Sequence, residues 1–107
     1  MKLVGLLTHI DRYGRLHFTM PIKVDGKDTG NTEAQLRTLS RKMDSYCTDT
    51  VSPINMEEKT FFVPKQRNTS ISDYDDYVGR KCNIDVKYST FTFKKKKGWR
   101  FKINSII

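Results

Sequence analysis

The chain is expected to fold as a mainly β protein, a small β-barrel carrying one α-helix, and three observations lead there. Short runs rich in Leu, Val, Ile and Phe alternate with polar residues and are broken by Gly, Pro and Asp, as strands and turns are. Only one stretch, between 32 and 46, places its apolar residues at helical spacing. A length of 107 residues, with 36% hydrophobic and 30% charged content, suits a single domain with one core.

Lys2 to Ile10 is rich in Leu and Val and reads as a strand; its apolar run is too short to span a bilayer. Asp11 to Arg15 holds Gly14, which suits a positive-φ turn position, and Leu16 to Met20 alternates as a half-buried strand until Pro21. The two strands form an N-terminal hairpin across which His9 and His17 can face one another. Val24 to Gly30 reads as a loop. Thr32-Glu33-Ala34-Gln35 fits a capping box with Thr32 as the cap, and Leu36, Leu39, Met43 and Tyr46 form one apolar stripe of a helix from about Thr32 to Tyr46. Arg37, Arg41 and Lys42 occupy its other side.

Asp49 to Asn55 is expected to be irregular, Thr60 to Val63 to be a strand stopped by Pro64, and Lys65 to Asp76 an exposed polar loop. Gly79 opens the longest strand, Lys81 to Lys94. Lys95-Lys96-Lys97-Gly98 is the expected turn, and Trp99 to Ile106 returns as the last strand.

Charge separates this last hairpin from everything else. The net charge is +8, and residues 80–102 hold nine basic side chains against one acid, Asp85; the remainder has eleven of each sign. An excess pooled in one structural unit makes a local positive field that attracts a polyanion. The candidate nucleic-acid-binding residues are therefore Arg80, Lys81, Lys87, Lys94, Lys95, Lys96, Lys97, Arg100 and Lys102, with Phe91, Phe93 and Trp99 as stacking rings. Tyr13 and Tyr88 are weaker stacking candidates. Alternation places Trp99, Phe101 and Ile103 on one face of the last strand and Arg100, Lys102 and Asn104 on the other, which favours Trp99 as a core ring over a partly exposed ring at the hairpin tip. For Phe91 and Phe93 two placements stay open. Unbroken alternation sets both rings among the lysines; a bulge at Ser89-Thr90 returns both to the core.

Other chemistries are not expected. Cys47 and Cys82 lie 35 positions apart and read as reduced thiols, far from zinc-site spacing. No phosphate-cradling glycine loop, zinc-helix motif or nucleophile elbow occurs, so neither an enzyme nor a cofactor is expected. Asp73, Asp75 and Asp76 are the best case for a metal-dependent nuclease, but their spacing is not that of a cation loop, and no metal site is expected.

The stretch Tyr77-Val78-Gly79-Arg80-Lys81-Cys82-Asn83-Ile84-Asp85-Val86-Lys87, continued by Trp99-Arg100-Phe101-Lys102-Ile103, resembles strands of OB-fold single-stranded-DNA-binding proteins of viral or phage type. The resemblance covers the last third of the chain. It implies an OB-fold-like barrel that binds single-stranded DNA in replication, recombination or repair, with no cofactor and no membrane, inside a cell (nuclear or cytoplasmic, including a virus-infected one). The pattern departs from that family by placing the helix after the second strand rather than the third. A short strand at Pro21-Ile22-Lys23-Val24 would restore the order; a six-stranded variant, an SH3-like barrel and an α+β arrangement remain alternatives. So do two other functions: an RNA-binding domain, and an adaptor subunit whose basic hairpin docks an acidic protein partner. Oligomerisation stays open.

Overall fold

The structure is a computed structural model that describes residues 1–21, 31–47 and 51–107. The loop expected at 24–30, and all but Pro21 of the short strand expected at 21–24, lie outside the described residues. Strand β1 spans Lys2–Ile10 and β2 Arg15–Thr19; helix α1 spans Thr32–Asp44. Strand β3 is Ile54–Asn55, β4 Thr60–Pro64, β5 Lys81–Phe93 and β6 Lys96–Ile106, with a 3-10 helix at Ile71–Tyr77 ahead of β5. All strands join one antiparallel six-stranded sheet in the order β3-β4-β2-β1-β5-β6. The sheet curls into a half-barrel, a mainly β fold of the small-barrel kind. Across its open side β4 and β6 approach each other. The rings of Phe61 and Phe101 meet edge to face at 6.5 Å, and Gln66 Nε2 donates to the Asn104 carbonyl at 3.1 Å.

The core follows from alternation. Leu3, Leu7, Leu16, Phe18, Val63 and Ile84 point inward from their strands, and α1 adds Leu36, Leu39 and Met43. Phe18 and Phe61 stack at 5.1 Å beneath Gly5, where an added Cβ would stand 3.1 Å from both side chains. The turn between β1 and β2 uses Gly14 at φ 80°, as its sequence requires.

Three local expectations are corrected by the packing. First, Thr32 does not cap α1; Asn31 does so in a left-handed conformation, without a side-chain bond. Strand β2 ends opposite Leu6, and among the described residues no strand pairs with the edge of β1 before Leu6 on that side. Thr32 Oγ1, fully buried, accepts the Val4 N–H at 2.8 Å, and Gln35 Nε2 donates to the Lys2 carbonyl at 3.0 Å. Leaving such a buried donor unmet costs about 1–3 kcal/mol, more than an exposed cap returns. Second, α1 stops at Asp44, and the Met43 carbonyl takes the N–H groups of Tyr46 and Cys47 at 3.0 Å each. That turn swings Tyr46 off the apolar stripe, leaving it exposed. Third, the segment before β4 contains the short strand β3, whose Ile54 is buried against the core. With Pro53 just ahead of it, two residues carry no alternation to read.

The polar segment 65–76 also has an anchor. Tyr74 is buried, and its hydroxyl accepts the Gln66 N–H at 3.0 Å. Asp73 accepts the Ser70 N–H at 2.8 Å as half of a capping box, so this carboxylate closes the 3-10 helix. Among the described residues no His, Cys, Asp or Glu side chains gather in threes as metal ligands would, and no helix is long and apolar enough to cross a membrane. Cys47 and Cys82 are free thiols; burial pushes the Cys82 thiol above its ordinary range.

Candidate nucleic-acid interface

Strand β1 begins opposite Asp85, so β5 runs on past Val86 with β6 as its one partner among the described strands. The distal hairpin is therefore a two-stranded ribbon. Its register is continuous from Val86↔Ile103 to Phe93↔Lys96, and the one irregularity lies between Asp85 and Val86, where Asn104 is the unpaired residue of β6. No bulge occurs at Ser89-Thr90. Alternation is unbroken, and Phe91 and Phe93 stay on the solvent face with Lys87.

The turn is also shorter than its glycine suggests. Lys94 and Lys95 alone connect the strands, with φ 49° and 66°. Positive φ at both central residues is the type I′ geometry that matches the twist of a hairpin. Gly98 instead lies inside β6, opposite Phe91, and is buried although it has no side chain.

Sorting by face gives the outer surface of the ribbon: Lys87 opposite Lys102, Ser89 opposite Arg100, Phe91 opposite Gly98, and Phe93 opposite Lys96. Phe93 is 64% exposed, with Lys94 Nζ 5.3 Å above its ring. Phe91 is half-buried, and the Arg100 guanidinium stacks 4.7 Å from its ring centre. Among the described residues no carboxylate pairs with Lys87, Lys94, Lys95, Lys96, Arg100 or Lys102. Asp85 is taken by the terminal amino group at 3.5 Å, and the acids of the 3-10 helix do not reach the ribbon.

Not every sequence candidate belongs to this surface. Trp99 is 3% exposed, packed edge-on to Phe101 at 5.0 Å and to Tyr88 at 6.3 Å, with its indole N–H buried and unpaired. It is a core ring. Arg80 and Lys81 stand at the far end of β5; Lys81 shares the face of Lys87 but lies roughly 20 Å back along the strand. Arg80 reaches the Asp76 carbonyl at 3.4 Å. Lys97 projects to the opposite face, where its Nζ lies 5.5 Å from the Tyr46 ring. The assembled site is thus Lys87, Phe91, Phe93, Lys94, Lys95, Lys96, Arg100 and Lys102. Sequence reading missed the part of α1, which braces the ribbon from behind: Lys42 Nζ sits 5.6 Å over Tyr88 and donates to its hydroxyl at 3.2 Å. No local signal pairs residues this far apart.

A second cluster of rings and cations occupies the other end of the sheet. His9 and His17 stack at 4.4 Å, as their positions in the hairpin allow. Arg15 lies 5.1 Å from the ring centres of both Tyr13 and Phe62, and Arg12 4.9 Å from Tyr13, which is 68% exposed. Asp11 holds this turn together. Its carboxylate accepts the Tyr13 and Arg15 backbone N–H groups at 2.9 and 3.0 Å, Arg15 Nε at 2.7 Å and His17 Nε2 at 2.8 Å. Burial alone would raise this acid, but the hydrogen bonds from His17, Arg15 and Tyr13 outweigh it and hold the carboxyl well below the usual range.

No family model matches the chain, and neither curated proteins nor solved structures show a significant similarity to it.

Proposed function

We propose that the protein binds single-stranded nucleic acid, DNA foremost, on the outer face of the β5–β6 ribbon, in support of replication, recombination or repair. The observation that carries this reading is the exposed Phe93 ring, set in line with Phe91 and flanked by Lys87, Lys96, Arg100 and Lys102 with no carboxylate among them. An unpaired base stacks on such a ring for roughly 1–3 kcal/mol, whatever its identity, while the cations neutralise phosphates. A base inside a duplex offers no free face, which is why the single strand is favoured. The reading assigns binding and no bond chemistry.

The strand circuit supports it as well. With β3 set aside, β1 lies between β2 and β5 while β4 and β6 face each other, which is the circuit of a five-stranded OB barrel. The 3-10 helix stands where that fold carries its helix, between the third and fourth strands, and α1 is an addition after the second.

The test is a fluorescence-anisotropy titration with labelled single-stranded DNA, single-stranded RNA and duplex at several salt concentrations. Six phosphate contacts, one for each cation of the assembled site, predict a slope of log K against log salt of about −4.2, at −0.7 per phosphate on a single strand. Equal affinity for ribose and deoxyribose strands would widen the ligand to RNA. Tighter binding of duplex would point to the ribbon entering a groove, and no binding to any of the three would leave the acidic protein partner as the better reading.

A further inference from the structure

Phe91 and Phe93 share one face of β5, yet their surroundings differ. Phe93 is largely exposed, whereas Phe91 is half-buried. Gly98, directly opposite Phe91, brings no side chain to this face, and the cation on the ring comes from the diagonal neighbour, Arg100, 4.7 Å from the ring centre. Arg100 is itself exposed, and Ser89 across from it is short. Among the described residues no carboxylate or carbonyl takes its N–H groups. A guanidinium stacked on a ring gives the ring one flat face, while its five N–H donors point outward in its own plane. An ammonium has no such geometry. Lys94, 5.3 Å over Phe93, is a hydrated point charge on a flexible stem and yields that ring to a better partner.

We infer that the two rings have different roles: Phe93 receives a base, and Phe91 is a positioning residue that holds Arg100 as a clamp for the neighbouring phosphate. This rests on the function proposed above and names the unit recognised, one unstacked base with one adjoining phosphodiester. The spacing fits that unit. Two residues along a strand separate the rings by about 7 Å. Arg100 lies on the Phe91 side of Phe93, so a backbone running from the stacked base toward Lys87 and Lys102 crosses the guanidinium first. A forked pair of N–H groups matches two phosphate oxygens at once, where a lysine offers a single point. Ordering a long side chain on binding costs a factor of roughly 2–12 in affinity. The Phe91 ring removes that cost by ordering Arg100 beforehand.

The experiment titrates labelled oligothymidylate against the wild type and variants of the two rings and Arg100 over a range of salt. Phe91→Leu keeps apolar bulk and loses the ring. It should bind about fivefold more weakly at low salt, with the salt slope shallower by about 0.7, the slope change that Arg100→Ala produces. A purely structural ring would not move that slope. The double variant Phe91→Leu/Arg100→Ala should match Arg100→Ala, since a ring with no guanidinium to hold adds nothing. Phe91→Tyr should keep the wild-type affinity and slope. Arg100→Lys, an exposed substitution that leaves Phe91 and the fold in place, should also lose about fivefold, because charge without the planar fork is not held on the ring. Phe93→Ala should differ in kind, losing about tenfold at every salt concentration with the slope unchanged. A Phe91→Leu loss equal at every salt, or additive with Arg100→Ala, makes Phe91 a second base platform and overturns the inference. So does full affinity in Phe91→Leu or Arg100→Lys. In those cases a wild type that binds, and a Phe93→Ala variant that binds less, leave the function standing; if the wild type binds no strand, both fall.

Discussion

The turn between β1 and β2 and the turn between β5 and β6 use the same ingredients, cations laid on aromatic rings, and differ in one carboxylate. At the first, Asp11 bonds Arg15 and His17 directly and organises the backbone around them. The charge of Arg15 is met by that carboxylate, and the His9, His17 and Phe62 rings pack on one another within the sheet. At the second, Arg100 lies on Phe91 and Lys94 on Phe93, and among the described residues no acid pairs with either. Among the described residues those cations meet the faces of the rings and no carboxylate. A cation–ring stack is therefore no evidence of a binding site by itself; the missing counter-charge separates a structural stack from one that faces a polyanion.

Four experiments test that contrast. Reversing charge on the ribbon with Arg100→Glu/Lys102→Glu should lower affinity for single-stranded DNA about a hundredfold at low salt, roughly 3 kcal/mol, because it removes contacts and adds repulsion. Arg12→Glu at the other turn should change it less than about threefold. Comparable losses from the two would erase the distinction.

Asp11→Asn should do the reverse, costing about 2 kcal/mol of stability and leaving binding unchanged, since hydrogen bonds to a charged acceptor contribute roughly 1.5–3 kcal/mol. The sign with pH follows from a folded-state pKa held below the unfolded value of about 3.9. Asp11 contributes its full stability above that value, and the contribution is lost as pH falls toward the folded pKa. Urea unfolding between neutral pH and about pH 2 should show a shallower acid decline in the Asn variant. Parallel curves would mean that Asp11 does not hold the turn.

Phe93→Ala should weaken binding by about 1–2 kcal/mol with no change in melting temperature, because the ring is exposed and covers no core. A melting transition that falls with the affinity would assign Phe93 to the fold. The smallest effect belongs to the tip. Lys94→Asn/Lys95→Gly places in the turn the residues its positive φ angles favour, and should stabilise the hairpin by about 1 kcal/mol while reducing the salt slope by about 1.4. A destabilised variant would contradict the type I′ geometry.

Much of the fold was legible because alternation is local. The inward residues of β1, β2, β4, β5 and β6, and the Leu36-Leu39-Met43 stripe of α1, all follow from period-two or helical spacing that each segment carries alone. The interface was legible as charge and only half legible as geometry. Lys87, Arg100 and Lys102 fall together by alternation, whereas the exposure of Phe91 and Phe93 depends on where the strand pair shifts register. Two acids show the same limit: the order of residues puts Asp11 in a turn and Asp85 in a strand, but not that the first bonds Arg15 and His17 or that the second meets the terminal amine.

The amino-acid order by itself determined which residues alternate inward, that one helix interrupts the strands, and that the whole excess of +8 sits in residues 80–102. Tertiary structure decided the rest: that the register slips at Asn104 and not at Ser89-Thr90, that Thr32 and Gln35 serve the edge of β1, and that Tyr46 lies over the ribbon. The reason is physical. A strand's own pattern selects its faces, but which neighbour ends first, and so which backbone group or ring is left to be satisfied, is set by pairing across the sheet.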